Sequence, residues 1–89
     1  MKVEDDAGNL MEIKIWQLQK PSSDKPHGYK YSLAYLVDGV RVIGYDNAER
    51  KGDHRHCGDK EKAYVFRGID RLLADFGRDI EHYRRGGKL

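Results

Sequence analysis

The side chains with the widest chemical capacity are concentrated in one short segment, Tyr45–His56. His54 and His56 are separated by a single residue, so both imidazoles point to the same side if the chain there is extended. An unperturbed imidazole titrates at about 6.5, which suits histidine to accept and donate protons near neutral pH. RNA cleavage by internal transesterification needs both proton transfers and cations around the phosphate. The segment therefore has the residue types of a metal-independent ribonuclease site.

In this hypothesis, His54 and His56 share the catalytic base and acid roles. Asp46 is the predicted orienting carboxylate, with Asp53 as the alternative, because either could accept an Nδ1–H bond from an imidazole. Arginine can bind phosphate in bidentate fashion, and an aromatic ring can stack on an unpaired base for about 1–3 kcal/mol. The predicted phosphate and RNA contacts are Arg55, Arg50, Lys51, Asn47, Tyr31 and Tyr45, with Tyr29 and His27 as further stacking candidates.

Two other interpretations of the segment stay open. A zinc site could use three or four donors, namely His54, His56 and Cys57 with one of Asp46, Asp53 or His27. A metal held there could also be catalytic, in a nuclease that binds it through His54 and His56. The spacing of these donors is unlike the common Cys-x2-Cys patterns and the chain has one cysteine, so the favoured hypothesis includes no metal and no cofactor. On composition alone, a solvated charged loop with ordinary surface histidines is the commonest explanation of such a segment.

Length and charge limit the classes of protein that fit. The 89 residues suffice for one small domain over 1–89, and 17 basic against 15 acidic residues leave a net charge of +2. This balance argues against nucleic-acid binding driven by bulk charge, so any basic patch must be local. No signal peptide or membrane-spanning stretch is visible, and Cys57 has no partner for an internal disulfide. These features predict a soluble, cytoplasmic protein that does not engage a membrane.

The elements that would position these residues form an α+β fold, an antiparallel sheet of four to five strands packed against one C-terminal helix. Alternating apolar residues predict a strand over Leu10–Leu18, in a first hairpin with its turn near Ala7-Gly8. Two further strands, Tyr29–Val37 and Val40–Asp46, flank a turn. Ala63–Phe66 is a short apolar run and is predicted to be the last strand. An apolar stripe at helical spacing then predicts a helix over Ile69–Tyr83.

The turn between the two central strands is Asp38-Gly39, a composition that favours a type I′ hairpin. Simple counting from it places Val37 opposite Val40 and Tyr31 opposite Asp46, at the rim of the sheet. The segment 47–62 has no apolar periodicity and is predicted to be a long loop; with Asp46 it carries five basic and five acidic residues. Trp16 is expected to be packed, and Asp75 and Asp79 are expected to face water.

Three runs of sequence resemble the TumE family of small bacterial proteins, which are the toxin components of toxin–antitoxin modules. They are HGYKYSLAY (27–35), VDGVRVIGYDNAERKGDHRH (37–56) and AYVFRGIDRLLADFGRDI (63–80). The GYDN and GDHRH pair is more specific than any of its parts, and the Leu10–Trp16 strand is also typical. The positions that this resemblance marks are Asp46, Asn47, His54, Arg55 and His56.

The resemblance implies a toxin encoded beside a helix-turn-helix antitoxin, which would be its protein partner. Many small α+β toxins cleave RNA, which makes RNA a candidate substrate by association rather than by site chemistry. RelE-like ribonuclease toxins usually place helices first, whereas the predicted helix here is last, so their catalytic residues are not transferred. An antitoxin would cover the Asp46–His56 rim or the tyrosine-bearing sheet, and an exposed strand edge leaves room for a homodimer. A non-catalytic protein that binds nucleic acid or a partner is the rival hypothesis.

Overall fold

Six antiparallel strands and one C-terminal helix form the fold of the computed structural model, which describes residues 1–48 and 52–87. Each strand pairs with the next strand along the chain, so the sheet order is the sequence order. The α+β class is confirmed, with six strands rather than four to five. The elements are β1 (Lys2–Glu4), β2 (Leu10–Gln17), β3 (Tyr29–Val37), β4 (Val40–Asp46), β5 (His54–Cys57), β6 (Lys60–Ala63) and α1 (Ile69–Arg84).

The extra strands come from the segment that was predicted to be a loop. β5 pairs with β4, and β6 pairs with β5 through a hairpin at Gly58-Asp59. Gly58 has a φ of 62°, and glycine is favoured at the first central position of a type II′ hairpin turn. The predicted strand Ala63–Phe66 is wrong, because β6 ends at Ala63. These short strands carry no apolar period because backbone pairing, of β5 with β4 and of β6 with β5, creates them rather than local composition.

The central hairpin has the predicted turn but a different register. Asp38 and Gly39 have φ values of 53° and 77°, as a type I′ turn requires, and Val37 lies opposite Val40. A β-bulge then leaves Val42 as an extra residue, so that Asp46 lies opposite Ser32. The predicted pairing of Tyr31 with Asp46 is therefore wrong. The bulge moves Asp46 to the sheet face opposite to that of the tyrosines.

One face of the sheet, here called the helix face, packs against α1 and forms the core. Its buried side chains alternate along β3 and β4 and meet three apolar residues of α1. The opposite face is here called the open face, because no element in the described part of the chain packs across it. The core residues are Tyr31, Leu33, Tyr35, Ile43, Tyr45, Leu72, Phe76 and Ile80.

Aspartates complete this core by accepting hydrogen bonds from tyrosine hydroxyls. Asp79 accepts the hydroxyl of Tyr45, and Asp75 accepts that of Tyr64 at 2.6 Å. A buried hydroxyl without a partner is costly, so these carboxylates satisfy groups that the core must bury. The expectation that Asp75 and Asp79 face water is wrong, because both are buried residues of α1.

Candidate active site on the open face of the sheet

The pairing of β4 with β5 brings the three predicted catalytic residues together on the open face. Asp46 lies opposite His54, and Gly44 lies opposite His56. The His56 Nε2 atom is 2.9 Å from Asp46 Oδ2. The predicted histidine–carboxylate pair is thus formed through Nε2 rather than Nδ1. This pair joins two adjacent strands, and the backbone hydrogen bonds between β4 and β5 fix the positions of both residues.

The second imidazole also has a carboxylate beside it. His54 Nδ1 is 3.1 Å from Glu61 Oε1 on β6. Since His54 and His56 are two residues apart on one extended strand, their Cα atoms are separated by about 6.5 Å. Their side chains are 16% and 14% exposed, so both are partly shielded from water. Two imidazoles, each paired with a carboxylate, lie side by side on one surface.

A cation that sequence reasoning did not assign to the site, Arg41, completes this group. The Arg41 Cδ atom is 3.0 Å from the point that a Cβ on Gly44 would occupy, so the arginine crosses the space that glycine leaves open. Because Gly44 lies opposite His56, this path brings Arg41 alongside the histidine. A guanidinium in that position can bind a phosphate held against the imidazoles.

Charge pairing leaves the open face with unpaired cations. Each central carboxylate of this face has a polar partner: Glu12 lies 3.6 Å from Lys2, Asp46 lies beside His56, and Glu61 lies beside His54. Lys14, Lys30 and Arg41 have no carboxylate partner within residues 1–48 and 52–87. An anion such as phosphate therefore meets cations whose charge is not already neutralised by an ion pair. The alternation of Lys14 with the apolar residues Ile13 and Ile15 in the sequence indicates that Lys14 lies on the face of the strand opposite to the core.

Trp16 lies at the end of the same face and is 47% exposed. It is directly opposite Lys30, whose Nζ atom is 5.3 Å from the centroid of the indole ring. The expectation that Trp16 is packed is wrong. It alternates with Ile15, which packs against the core on the helix face, and no described element covers the surface to which Trp16 points.

Arg55, predicted to bind phosphate, points to the other side of the sheet. Its Nε and Nη2 atoms donate to the two carboxylate oxygens of Asp79 at 2.8 and 2.9 Å, and Nε is also 3.0 Å from the Tyr45 hydroxyl. The hydrogen bond with Asp79 is the main reason that the pKa of Arg55 is raised. Since neighbouring residues on a strand face opposite sides, Arg55 is separated by the sheet from the histidines on either side of it.

The other predicted RNA contacts are buried, half-buried or outside the described part of the chain; Tyr29 and His27 are the half-buried ones, with their rings beside that of Phe66. Tyr31 is 0% exposed and Tyr45 and Asn47 are each 1% exposed, so the two rings offer no face to a base. The Asn47 amide accepts from the Tyr31 backbone N–H at 2.9 Å and donates to the Tyr29 carbonyl at 2.8 Å. Asn47 therefore fastens the end of β4 to β3. Arg50 and Lys51 lie outside the described residues.

The side chains predicted to bind zinc in the alternative hypothesis do not lie together in the structure. Cys57 lies opposite Ile43 on the helix face, where burial raises its pKa, whereas His54 and His56 point to the open face. Asp53 lies 3.0 Å from His27 Nε2 and accepts the Tyr31 hydroxyl at 2.6 Å. In the part of the chain that the structure describes, no three His, Cys, Asp or Glu side chains come together as a metal-ligand group.

Comparison with known protein families gives a match over most of the chain. A family model described as Toxin TumE matches residues 2–84, which include every strand and α1 and all of the open-face residues named above. No curated protein and no solved structure matches the chain. Within the described residues, no helix has the length and apolar character needed to span a membrane.

Proposed function

Because the chain belongs to the TumE family of toxins, we propose that it acts on RNA as the metal-independent ribonuclease of a bacterial toxin–antitoxin module. The observation that carries the proposal is the 2.9 Å His56–Asp46 pair, beside His54 and Arg41, on a face that no described element covers. Acid–base catalysis needs two proton-transfer groups side by side. The open face provides two imidazoles within reach of one phosphate.

In the proposed reaction, His56 removes the proton from a ribose 2′-hydroxyl, and the 2′-oxygen attacks the adjacent phosphorus. Asp46 stabilises the imidazolium that forms, as a carboxylate partner does for a histidine base. The bond from phosphorus to the 5′-oxygen then breaks, and His54 in its protonated form donates a proton to that leaving oxygen. The products are a 2′,3′-cyclic phosphate and a 5′-hydroxyl.

Arg41 takes the role that the sequence hypothesis gave to Arg55. The charge on the phosphate oxygens rises as the 2′-oxygen attacks, and a fixed guanidinium stabilises that charge. Arg41 is free to do so because no carboxylate in the described residues pairs with it. Arg55, in contrast, is held by Asp79 beneath α1.

The experiment is RNA cleavage by purified protein in the presence of EDTA, together with growth inhibition after induction. His54→Asn and His56→Asn should each lower the cleavage rate by at least about 100-fold, the usual contribution of a positioned acid or base. His82→Asn is the matched control, because His82 is an exposed residue of α1 on the other side of the sheet. Full activity of both folded active-site variants would contradict the mechanism.

A helix-turn-helix antitoxin that covers the open face would block RNA from the histidines and so neutralise the toxin. The second candidate function is RNA or partner binding without cleavage. It is favoured by the carboxylate beside each imidazole, because such pairs also occur as structural contacts. RNA sequencing after induction separates the two functions, since discrete cut sites support the ribonuclease and intact RNA supports the binding protein.

A further inference from the structure

We propose that Trp16 is a base-stacking subsite for single-stranded RNA, with Lys14 and Lys30 binding the flanking phosphates. The proposal rests on the proposed action on RNA and names the form of RNA that the open face accepts. It assigns a function to an aromatic ring that the fold leaves 47% exposed. A half-exposed indole ring on a strand presents a flat apolar surface on which an unpaired base can stack.

The position of Trp16 follows from the pairing of β2 with β3. Ile13 and Ile15 lie opposite Leu33 and Tyr31 in the core, so Trp16 faces the open side. Lys30 is directly opposite it, and its Nζ atom lies 5.3 Å from the ring centroid. The ring is therefore held at the surface by a flexible cation that can move to a phosphate when a base stacks.

Two lysines lie next to the Trp16 ring. Lys14 is two residues before Trp16 on the same face, about 6.5 Å along the strand, and Lys30 is its cross-strand neighbour. Neither lysine has a carboxylate partner in the described residues. An aromatic ring with one unpaired cation along its strand and another across from it suits a nucleic-acid strand, where base stacking and backbone charge act together.

The ring also lies within reach of the proposed catalytic group. Successive open-face residues Lys14, Ser32, Asp46 and His54 belong to four adjacent strands. Adjacent strands are about 4.8 Å apart, so Lys14 and His54 are separated by about 14 Å and Trp16 and His54 by about 16 Å. Stacked nucleotides rise by about 3.4 Å, so roughly five of them span that distance, and fewer are needed where the bases are splayed apart.

Single-stranded RNA fits this surface better than a duplex does. In a duplex the bases are stacked on one another and paired, so they cannot present a face to Trp16. Unpaired bases can be splayed onto an aromatic residue of a sheet, a mode used by common RNA-binding modules. The open face thus selects unpaired RNA through the ring and tracks its backbone through the lysines.

Trp16 is the chain's only tryptophan, so its fluorescence reports this subsite directly. A non-cleavable single-stranded oligonucleotide with 2′-O-methyl groups should quench the emission of the wild-type protein, whereas the matching duplex should not. Binding of the same labelled oligonucleotide, followed by anisotropy, should weaken by about tenfold or more in Trp16→Ala and remain mostly intact in Trp16→Phe. Lys30→Met should weaken binding, and Lys62→Met is the matched control because Lys62 lies opposite Arg55 on the other face.

The outcomes separate this proposal from the proposed function. If wild-type protein cleaves RNA but Trp16→Ala binds the oligonucleotide as tightly as wild type, the subsite is wrong and the ribonuclease stands. Equal quenching of Trp16 fluorescence by single-stranded and duplex oligonucleotides also overturns the subsite. Quenching by a protein antitoxin with no quenching by RNA overturns it as well. If the wild-type protein neither binds nor cleaves RNA, the proposed function itself fails.

Discussion

The contact between Arg55 and Asp79 tests whether the two faces of β5 have different roles, with Arg55 stabilising the fold on one face and the histidines acting in catalysis on the other. Arg55 donates two hydrogen bonds to the carboxylate, and Tyr45 donates a third. We predict that Arg55→Met and Asp79→Leu will each destabilise the protein strongly without removing a catalytic group. The double variant should be less destabilised than the sum of the two single variants.

The expected magnitude follows from the burial of the pair. Removing one partner of a buried ion pair costs about 3–5 kcal/mol, because the other charge stays buried without compensation. The Asp79 side chain is 12% exposed but that of Arg55 is 27% exposed, so water screens part of the loss. We therefore expect each single variant to lose about 2–3 kcal/mol of unfolding free energy. This corresponds to a fall in Tm of roughly 8–24 °C for a protein of this size.

Urea denaturation followed by circular dichroism at the helix band measures these free energies, and the double-mutant cycle isolates the coupling between the two side chains. We predict a coupling of about 2 kcal/mol and, below the lowered Tm, a rate of RNA cleavage equal to that of wild type. A coupling near zero would refute the stabilising role of the pair. Loss of RNA cleavage by a folded Arg55→Met variant would support the original prediction that Arg55 binds the phosphate.

Three further predictions concern other parts of the structure. Asn47→Ala should cost about 2 kcal/mol in urea denaturation, because two backbone groups of β3 lose their partner. Gly44→Ala should lower RNA cleavage with little change in Tm, because the new Cβ would displace Arg41, whose Cδ lies 3.0 Å from that point. A hydroxyl hydrogen bond from Tyr35 is the main contact that lowers the pKa of Asp5 to about 2. The stabilisation from Asp5 should therefore be complete above about pH 4 and lost as the pH falls towards 2, and Asp5→Asn should flatten this part of a Tm-against-pH curve.

Strand and helix positions that depend on local pattern were predictable. Tyr29–Val37 and Val40–Asp46 have the predicted bounds, because alternating residues and the Asp38-Gly39 turn both specify a hairpin there. The helix begins at Ile69 as predicted and ends one residue beyond Tyr83. Of the predicted apolar stripe, Leu72, Phe76 and Ile80 are buried and Ile69 and Tyr83 are partly buried against the core, whereas Leu73 is 37% exposed.

The bulge at Val42 was harder to predict, because a one-residue insertion leaves composition and turn chemistry unchanged. Its effect is visible in which side chains form the core, since Ile43 and Tyr45 belong to it, whereas Asp46 is half-buried on the open face. Simple counting from the turn assigned these residues to the wrong faces. A one-residue change of register exchanges the faces of a whole strand, so it also decides which side chains share a site.

For the candidate site, the group formed by His54, His56 and Asp46 could be predicted from residue types and the spacing of the histidines. The face of Arg55 could not, because β5 was not predicted to be a strand and its pairing with β4 is non-local. Arg41 was missed for the same physical reason. Arg41 lies beside His56 because its side chain passes over Gly44, which is opposite His56. This arrangement follows from the register of β3, β4 and β5 and cannot be read from the spacing of residues along the chain.

The most direct test of the account is the cleavage of two RNA oligonucleotides that differ only by a 2′-deoxy group at the cut site. With wild-type protein in EDTA, we predict that the all-ribose strand is cut to a 2′,3′-cyclic phosphate and a 5′-hydroxyl, whereas the 2′-deoxy strand stays intact at that position. His56→Asn should cut neither strand at a measurable rate. Cleavage of both strands, or of the all-ribose strand by folded His56→Asn at the wild-type rate, would contradict the central claim.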